Sequence, residues 1–340
     1  MNVTSWKDGA SWDAFVHLHT GAVNYHHWHW QDVIRETYGH EPVYLAATDG
    51  DKIAGVLPLF FIRSRLFSNS LVSVPFFTYG GILCDTRAAG EALVTEAEQV
   101  AKQLGARYIE LRAGGNYAPG WTDLTPKVTM VVDLPEDLDQ LWTSLNAKVR
   151  KRIRYAHKNG ITVDCRCGDA ISGFYPIFAD NMRNLGTPVY PRSWFENIHR
   201  HNHSSVRILM VFDQSRPSAA AFLIIYRDTV EMPWAASLES GRRKFTPLAL
   251  YWSVIEWAHQ NSFRKVDLGR CTPGSGNYDF KRHWRPTEQP LHWHCWAPAG
   301  SEVHAPRRDD AKFNLAVNVW KHLPLPVANT IGPLIVRCIP

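Results

Sequence analysis

Val266-Asp-Leu-Gly-Arg-Cys-Thr-Pro-Gly-Ser-Gly-Asn-Tyr-Asp-Phe-Lys-Arg-His-Trp284 reads as a buried strand that runs into a glycine-rich turn, with an aromatic-plus-lysine cluster directly behind it. Chemistry is often placed on a loop that a rigid strand positions. Gly269, Gly274 and Gly276 allow positive φ or a close approach of backbone to a ligand. Arg270, Lys281 and Arg282 are fixed cations suited to a phosphate or a developing oxyanion. Tyr278, Phe280 and Trp284 offer flat surfaces for a base or ring.

Upstream of this stretch the sequence reads as one unit written twice. Val43–Thr48 and Ile53–Ile62 are apolar runs around the turn Asp49-Gly50, which predicts a β-hairpin. Val206–Phe212 and Ala219–Tyr226 repeat that pattern, and Val230–Ala236 predicts a third strand. An amphipathic helix and a strand follow each hairpin: Ala88–Leu104 then Tyr108–Arg112, and Pro247–Gln260 then Lys265–Gly269. Gln103–Leu111 (QLGARYIEL) aligns with Gln260–Leu268 (QNSFRKVDL), each carrying Arg, an apolar residue, an acid and Leu in the same order. Such a repeat argues for duplicated α/β domains. In the second helix Thr246 is placed to cap and Pro247 suits the first turn. Leu248, Tyr251, Trp252, Ile255 and Ala258 share one face, which predicts core packing.

Between the repeats, Leu138–Gly160 reads as one helix. Leu138, Leu141, Trp142, Leu145, Val149, Ile153 and Ala156 make an apolar stripe, and Lys148, Arg150, Lys151, Arg152, Arg154 and Lys158 make a basic face. That face is either simply solvated or suited to a phosphate-rich ligand or acidic headgroups. The tail, Val319–Pro340, is apolar and proline-broken; it packs on the second half or lies at a membrane interface.

The bulk numbers fit this organisation. A chain of 340 residues, 45% hydrophobic and 20% charged, has material for two packed domains. A net charge of +5 suits an anionic ligand or surface but is too small to argue by itself for nucleic acid, and no specific DNA binding is expected. The six cysteines form no paired C-x-x-C pattern, and the histidine clusters match no common zinc spacing, so no metal is expected. Asp8, Asp13 and His17 interrupt the place where a signal peptide needs an apolar run. No stretch reaches about 18 uninterrupted apolar residues. The expectation is a cytoplasmic protein with free thiols, in contact at most with the inner face of the membrane.

Three segments carry a family resemblance. The first is Tyr25-His26 with Trp30, then Tyr38-Gly39-His40 and Gly55-Val-Leu-Pro-Leu59; the second is Lys151-Arg-Ile-Arg154 with Ala156; the third is Asp267–Arg270 through Gly276, Tyr278, Phe280-Lys281 and Trp284. Together they resemble FemAB-like acyltransferases, most of all the type associated with exosortase/PEP-CTERM loci. The resemblance implies an α/β (α+β) chain of two tandem GNAT-type N-acyltransferase domains, each a mixed, mostly antiparallel sheet flanked by helices. The corresponding divisions are 1–137, a basic connecting helix 138–160, a second domain 161–305 and a tail 306–340.

The resemblance also implies transfer of an acyl or aminoacyl group onto an amine of a cell-envelope or exopolysaccharide precursor. The carrier is aminoacyl-tRNA or acyl-CoA, and no cofactor is permanently bound. The chain has no room for a long coiled-coil arm. It also lacks the R/Q-x-x-G-x-G/A loop before Pro247, where Ser240-Gly-Arg-Arg-Lys-Phe245 offers cations but one glycine. Lys281, Arg270 and Tyr278 are the expected catalytic residues; Phe280, Gly274, Gly276, Trp284, Arg242 and Arg243 the donor-binding ones. Tyr25, His26, Trp30, Tyr79 and Trp234 are expected to face an amine-bearing sugar or peptide acceptor between the halves, with burial in the core as the alternative. Glu231, Asp279 and His283 are carboxylate or imidazole candidates for a base, none assigned. Cys271 has no His–acid partner set in sequence to make it a nucleophile. Other readings are an acyl-CoA-dependent small-molecule N-acetyltransferase and a non-catalytic glycan- or membrane-binding scaffold.

Overall fold

Alternating apolar residues and tight turns in the first hundred positions build a sheet that the computed structural model covers with helices on both faces. The structure describes residues 1–64, 68–112, 115, 117–125, 127–298 and 311–339. Contacts divide the chain into one unit of Met1–Thr125, Leu291–Asp310 and Leu334–Pro340, and another of Pro126–Pro290 and Ala311–Pro333.

The first unit contains β1 (Asn2–Ser5), β2 (Glu41–Asp49), β3 (Lys52–Ile62), β4 (Ser70–Ser73), β5 (Leu83–Cys84), β6 (Tyr108–Arg112) and β7 (Thr122–Leu124), with α1 (Gly9–Leu18), α2 (Trp30–Tyr38) and α3 (Arg87–Leu104). β2 and β3 form the expected hairpin, and Gly50 at its turn has φ +59°. Successive side chains point to opposite faces. Leu45, Leu57, Leu59 and Phe61 therefore meet Ala89, Leu93, Ala97 and Ala101 of α3, and Tyr44 and Phe60 pack with Trp12 on the other side.

The second unit contains β8 (Val128–Asp133), β9 (Ile161–Arg166), β10 (Val206–Asp213), β11 (Arg216–Tyr226), β12 (Thr229–Ser237), β13 (Lys265–Cys271) and β14 (Thr287–Pro290), in sheet order β14-β8-β13-β12-β11-β10-β9. Its helices are α4 (Leu138–Ser144), α5 (Ala147–Lys158), α6 (Ile171–Leu185), α7 (Arg192–Asn202), α8 (Glu239–Arg243), α9 (Thr246–Gln260) and α10 (Gly276–Lys281); α11 (Ala311–Lys321) and α12 (Leu325–Val336) follow. α5 and α9 share one apolar core over the sheet. A last strand, β15 (Trp293–Trp296), enters the first unit's sheet between β6 and β7, giving the order β1-β2-β3-β4-β6-β15-β7 with β5 on β3.

Several expectations change here. The divisions 1–137 and 161–305 differ from the hydrogen-bonded sheets, because β8 pairs with β13 and β14 whereas β15 pairs with β6 and β7. The 305/306 boundary lies outside the described residues. The basic helix is not a separate connector: Leu141, Leu145, Val149, Ile153 and Ala156 are in the second unit's core. It is also two helices, because Asn146 leaves helical geometry and its Oδ1 accepts from Lys148 N at 2.9 Å. Thr246 does not cap α9. Phe245 holds that position with φ +61°, and the buried Thr246 Oγ1 has no partner among the described residues.

The sequence repeat reappears in strand register. β4 and β6 run parallel and pair Ser70↔Tyr108, Leu71↔Ile109 and Val72↔Glu110. β12 and β13 pair in parallel through Thr229↔Lys265, Val230↔Val266 and Glu231↔Asp267. The aligned segments QLGARYIEL and QNSFRKVDL thus end on equivalent rungs, and in both the acid stands on the last one.

Candidate active site

Where β12 and β13 stop pairing, the strands themselves continue, to Ser237 and Cys271. Two local irregularities cause the parting. On β12, Met232 and Pro233 stand opposite the single residue Leu223 of β11, a β-bulge that also removes one N–H from the ladder. On β13, Gly269 takes φ +77° and the register with β8 shifts between Asp267 and Arg270. A Cβ at Gly269 would lie 3.2 Å from the Met232 carbonyl oxygen, in a backbone region that L side chains disfavour.

Asp267 secures this turn. Its Oδ1 accepts from the Gly269 N–H at 2.8 Å and from Thr129 Oγ1 at 2.6 Å, with Asp267 and Thr129 both buried. The kinked backbone then directs two carbonyls at one cation. Lys281 Nζ donates to Gly269 O at 2.8 Å and to Arg270 O at 3.1 Å. An ammonium carries three N–H donors, so this seat uses two. Ser275 starts α10 by accepting from Tyr278 N. The three-residue spacing of Lys281 and Trp284 across α10 and the following turn turns both inward, at 4% and 0% exposure. Burial pulls the Lys281 ammonium down to about 8; nearby Cys271 and Asp267 work the other way, and Arg270 adds to the lowering.

Around this cation the structure sorts the remaining expected residues. Phe280 packs edge-on to Tyr251 at 4.9 Å, beside the seat. Trp284 stacks on Tyr251 at 5.8 Å and is wholly enclosed, so it supports the site from within the core instead of presenting a face to a donor. Tyr278 donates to both carboxylate oxygens of Glu288 at 2.9 Å, and that bond raises its pKa, so it is no ready base. Gly274 has φ +76° with open space beyond it. Gly276 does not take positive φ; it opens α10. Arg242 is turned inward, its guanidinium on Asn181 Oδ1 at 2.6 Å and Ser237 Oγ at 3.3 Å, whereas Arg243 is largely exposed beside Glu239. Glu231 stands on the last paired rung; Asp279 and His283 are exposed. Burial pushes the Cys271 thiol up, with Lys281 pulling against it.

Of the five residues expected at an acceptor, four are buried, the alternative that the sequence left open. In the first unit Tyr25 and Trp30 are fully buried and close on Phe77, at 4.1 and 4.6 Å between ring centroids. His26 is neutral, pushed down to about 4 by burial; its Nδ1 accepts from Val23 N and its Nε2 hydrogen donates to Gly81 O. Trp234 of the second unit is buried between Phe195 and Phe222. Their aromatic surface is spent on the second faces of the two sheets. Tyr79 alone of the five stays partly exposed.

Sequence reasoning missed the Asp267–Thr129 anchor and the tie from Tyr278 to Glu288. The acid common to both repeats was a signal for the first; nothing local pointed to Thr129, which is 138 residues away along the chain. Asp267→Ala leaves the buried Gly269 N–H and Thr129 hydroxyl without their acceptor. It is expected to cost about 2–4 kcal/mol, read by urea denaturation, with Asp267→Asn recovering most of the loss.

Residues 144–282 match the family described as acetyltransferase (GNAT) domain, a span that runs from the end of α4 past Lys281. The fold is GNAT-type. Both halves carry a mixed sheet flanked by helices, as the sequence predicted, and solved structures agree along most of the chain. The crystal structure of FemX superposes with a TM-score of 0.69 at 16% identity, over 88% of this chain and 98% of FemX. A tandem GNAT protein from the clavulanic acid biosynthesis pathway gives 0.55 at 11%, over 88% and 99%. L-PGS from Bacillus licheniformis gives 0.57 at 12%, over 98% and 97%. No curated protein is a significant match to this chain.

Proposed function

We propose that this chain is an N-acyltransferase that moves an acyl or aminoacyl group from an activated carrier onto an amine, and that the reaction takes place where β12 and β13 part. The observation that carries this reading is the buried Lys281 ammonium, seated on the Gly269 and Arg270 carbonyls with its third N–H unpartnered among the described residues. In the transfer, the neutral amine nitrogen attacks the acyl carbonyl, the carbonyl oxygen gains negative charge, and the carrier's oxygen or sulfur departs as the C–N bond is kept, the proton released from nitrogen passing through solvent to the leaving oxygen or sulfur. A cation held in a low-dielectric setting stabilises that oxygen, or a carrier phosphate, more than it would in water.

The GNAT match favours acyl-CoA as carrier; the sequence resemblance to FemAB-like transferases favours an aminoacyl carrier. The amine of a cell-envelope or exopolysaccharide precursor is the acceptor class we carry from the sequence resemblance, with the exosortase association resting on that resemblance alone. Two measurements test the reading. Thermal shifts with acetyl-CoA and with aminoacyl-tRNA separate the carriers, because only a ligand of the native state raises Tm. Transfer of labelled acyl group from the stabilising carrier to an amine then tests catalysis. A chain that is shifted by neither and transfers nothing overturns the proposal.

The seat also fixes a pH dependence. The native ammonium releases its proton near pH 8, whereas the unfolded lysine holds it to about 10.4. Activity that needs the cation is therefore expected to fall as pH rises through about 8. Stability is expected to move the other way. Between about 8 and 10.4 the unfolded state binds more protons, so Lys281 contributes a rise in unfolding free energy with pH. Urea titrations of wild type and Lys281→Met between pH 7 and 11 check the sign, since only the wild type carries that rise.

A further inference from the structure

The C-terminal helices use only one side of an apolar surface. Val317 of α11 lies against Gly186 at the end of α6, while Leu315 and Val319 are 65% and 57% exposed. On α12, Ala328 and Val336 are buried and Gly332 sits on the backbone of Val189, while Val327, Ile331 and Leu334 remain 39%, 39% and 60% exposed. The spacings 315/319 and 327/331/334 place each exposed set along one helix face. No Asp, Glu, Lys or Arg occurs within α12.

Charge decides what covers these faces. From Ala311 to Pro340 the sequence has no Asp or Glu but contains Lys312, Lys321 and Arg337, with Lys321 and Arg337 exposed at the flanks of α12. Two copies of the segment facing each other would bring cations together with no acid between 311 and 340 to offset them, which disfavours a second copy as the occupant. An anionic phospholipid surface supplies both halves of the match, with acyl chains for the exposed Leu, Ile and Val side chains and phosphates for the flanking cations. No helix of the described residues is long and apolar enough to cross a membrane. We propose that α11 and α12 dock this chain onto an anionic membrane surface, lying in the interface with their inner stripes still on the protein. This inference stands independently of the transfer reaction.

Flotation of the full chain with vesicles tests it. Wild type is expected to float with phosphatidylcholine vesicles that contain phosphatidylglycerol and to be released as salt is raised. Val319→Glu combined with Leu334→Glu is expected to weaken partitioning by about tenfold or more, with Tm little changed because both side chains are more than half exposed. Transfer to a water-soluble amine is retained in that variant, so docking and catalysis fail separately. Wild type that floats with no vesicle, equal flotation on phosphatidylcholine alone, or a variant that floats like wild type overturns the proposal. Self-association abolished by the variant, without flotation, assigns the surface to a second copy and overturns it as well.

Discussion

Lys281→Met is expected to lower kcat/KM for acyl transfer by about a hundredfold or more while leaving the chain folded. Methionine keeps the length and apolar stem of lysine, so the space enclosed beside Trp284 stays filled. Two effects on stability oppose each other. The Gly269 and Arg270 carbonyls lose their donor, which costs about 1–3 kcal/mol for buried groups. Against that, the variant no longer carries an ammonium whose ionisation burial disfavours. A small change in Tm with a large loss of rate is the expected pair of results. Lys281→Arg is not a rescue, because a planar fork does not fit a seat shaped for a compact cation on two adjacent carbonyls. An unaltered rate in Lys281→Met would remove the site proposed here, whatever the fold.

Arg112→Ala is expected to have the largest effect on stability, with little direct effect on the chemistry. Arg112 is 1% exposed. Its Nε donates to Glu110 at 2.8 Å, its NH1 to Phe77 O at 2.9 Å, and its guanidinium lies 4.7 Å from the centre of the Trp293 ring. Its backbone N–H donates to Ser73 Oγ. One side chain thus ties β6 to the loop after β4 and to the late strand β15. Truncation leaves the Glu110 carboxylate without its ion pair and opens a cavity, and breaking a buried pair in this way costs about 3–5 kcal/mol. Differential scanning calorimetry should show the loss. Arg112→Lys is expected to recover little, since one ammonium cannot reproduce the fork and the stacking on Trp293.

These two residues show how far the sequence could be read. Arg112 closed the first copy of the repeat, Tyr108–Arg112, and looked like an ordinary strand end. In the second copy, the aligned position is Gly269. Where the first unit fills the place with a guanidinium, the second leaves it without a side chain, and Lys281 reaches its carbonyl from α10. The duplicate strands, the helix between them and the acid on the last rung were legible because they follow period and turn chemistry. That one copy holds a bonded arginine and the other a seated lysine was not: Phe77 and Trp293 reach Arg112 from distant parts of the chain, and Lys281 reaches the Gly269 and Arg270 carbonyls only through the way α10 folds back on β13.

For the aromatic residues of the first unit the sequence left a cleft and a core equally open. Tyr25, His26 and Trp30 looked suited to a sugar ring, yet a sheet covered on both faces needs apolar mass on each. Tyr44, Phe60 and Phe77 supply only part of it. Composition does not distinguish an aromatic cleft from an aromatic core, since both call for the same side chains.

The sequence by itself determined the two-fold repeat of hairpin, helix and strand and the cation-bearing loop after the last strand of the second copy, because these depend on local periodicity and on glycine and proline at defined offsets; the mixed sheets were implied by the family resemblance. The tertiary structure alone decided which strand completes which sheet and how Asp267 and Thr129 hold the Gly269 turn. It also decided that Lys281 is buried on two carbonyls with a lowered pKa. The strand pairings and the Asp267–Thr129 bond join residues far apart in the chain, and the Lys281 seat, although its partners are near in sequence, depends on how α10 folds back on β13 and on the burial that follows.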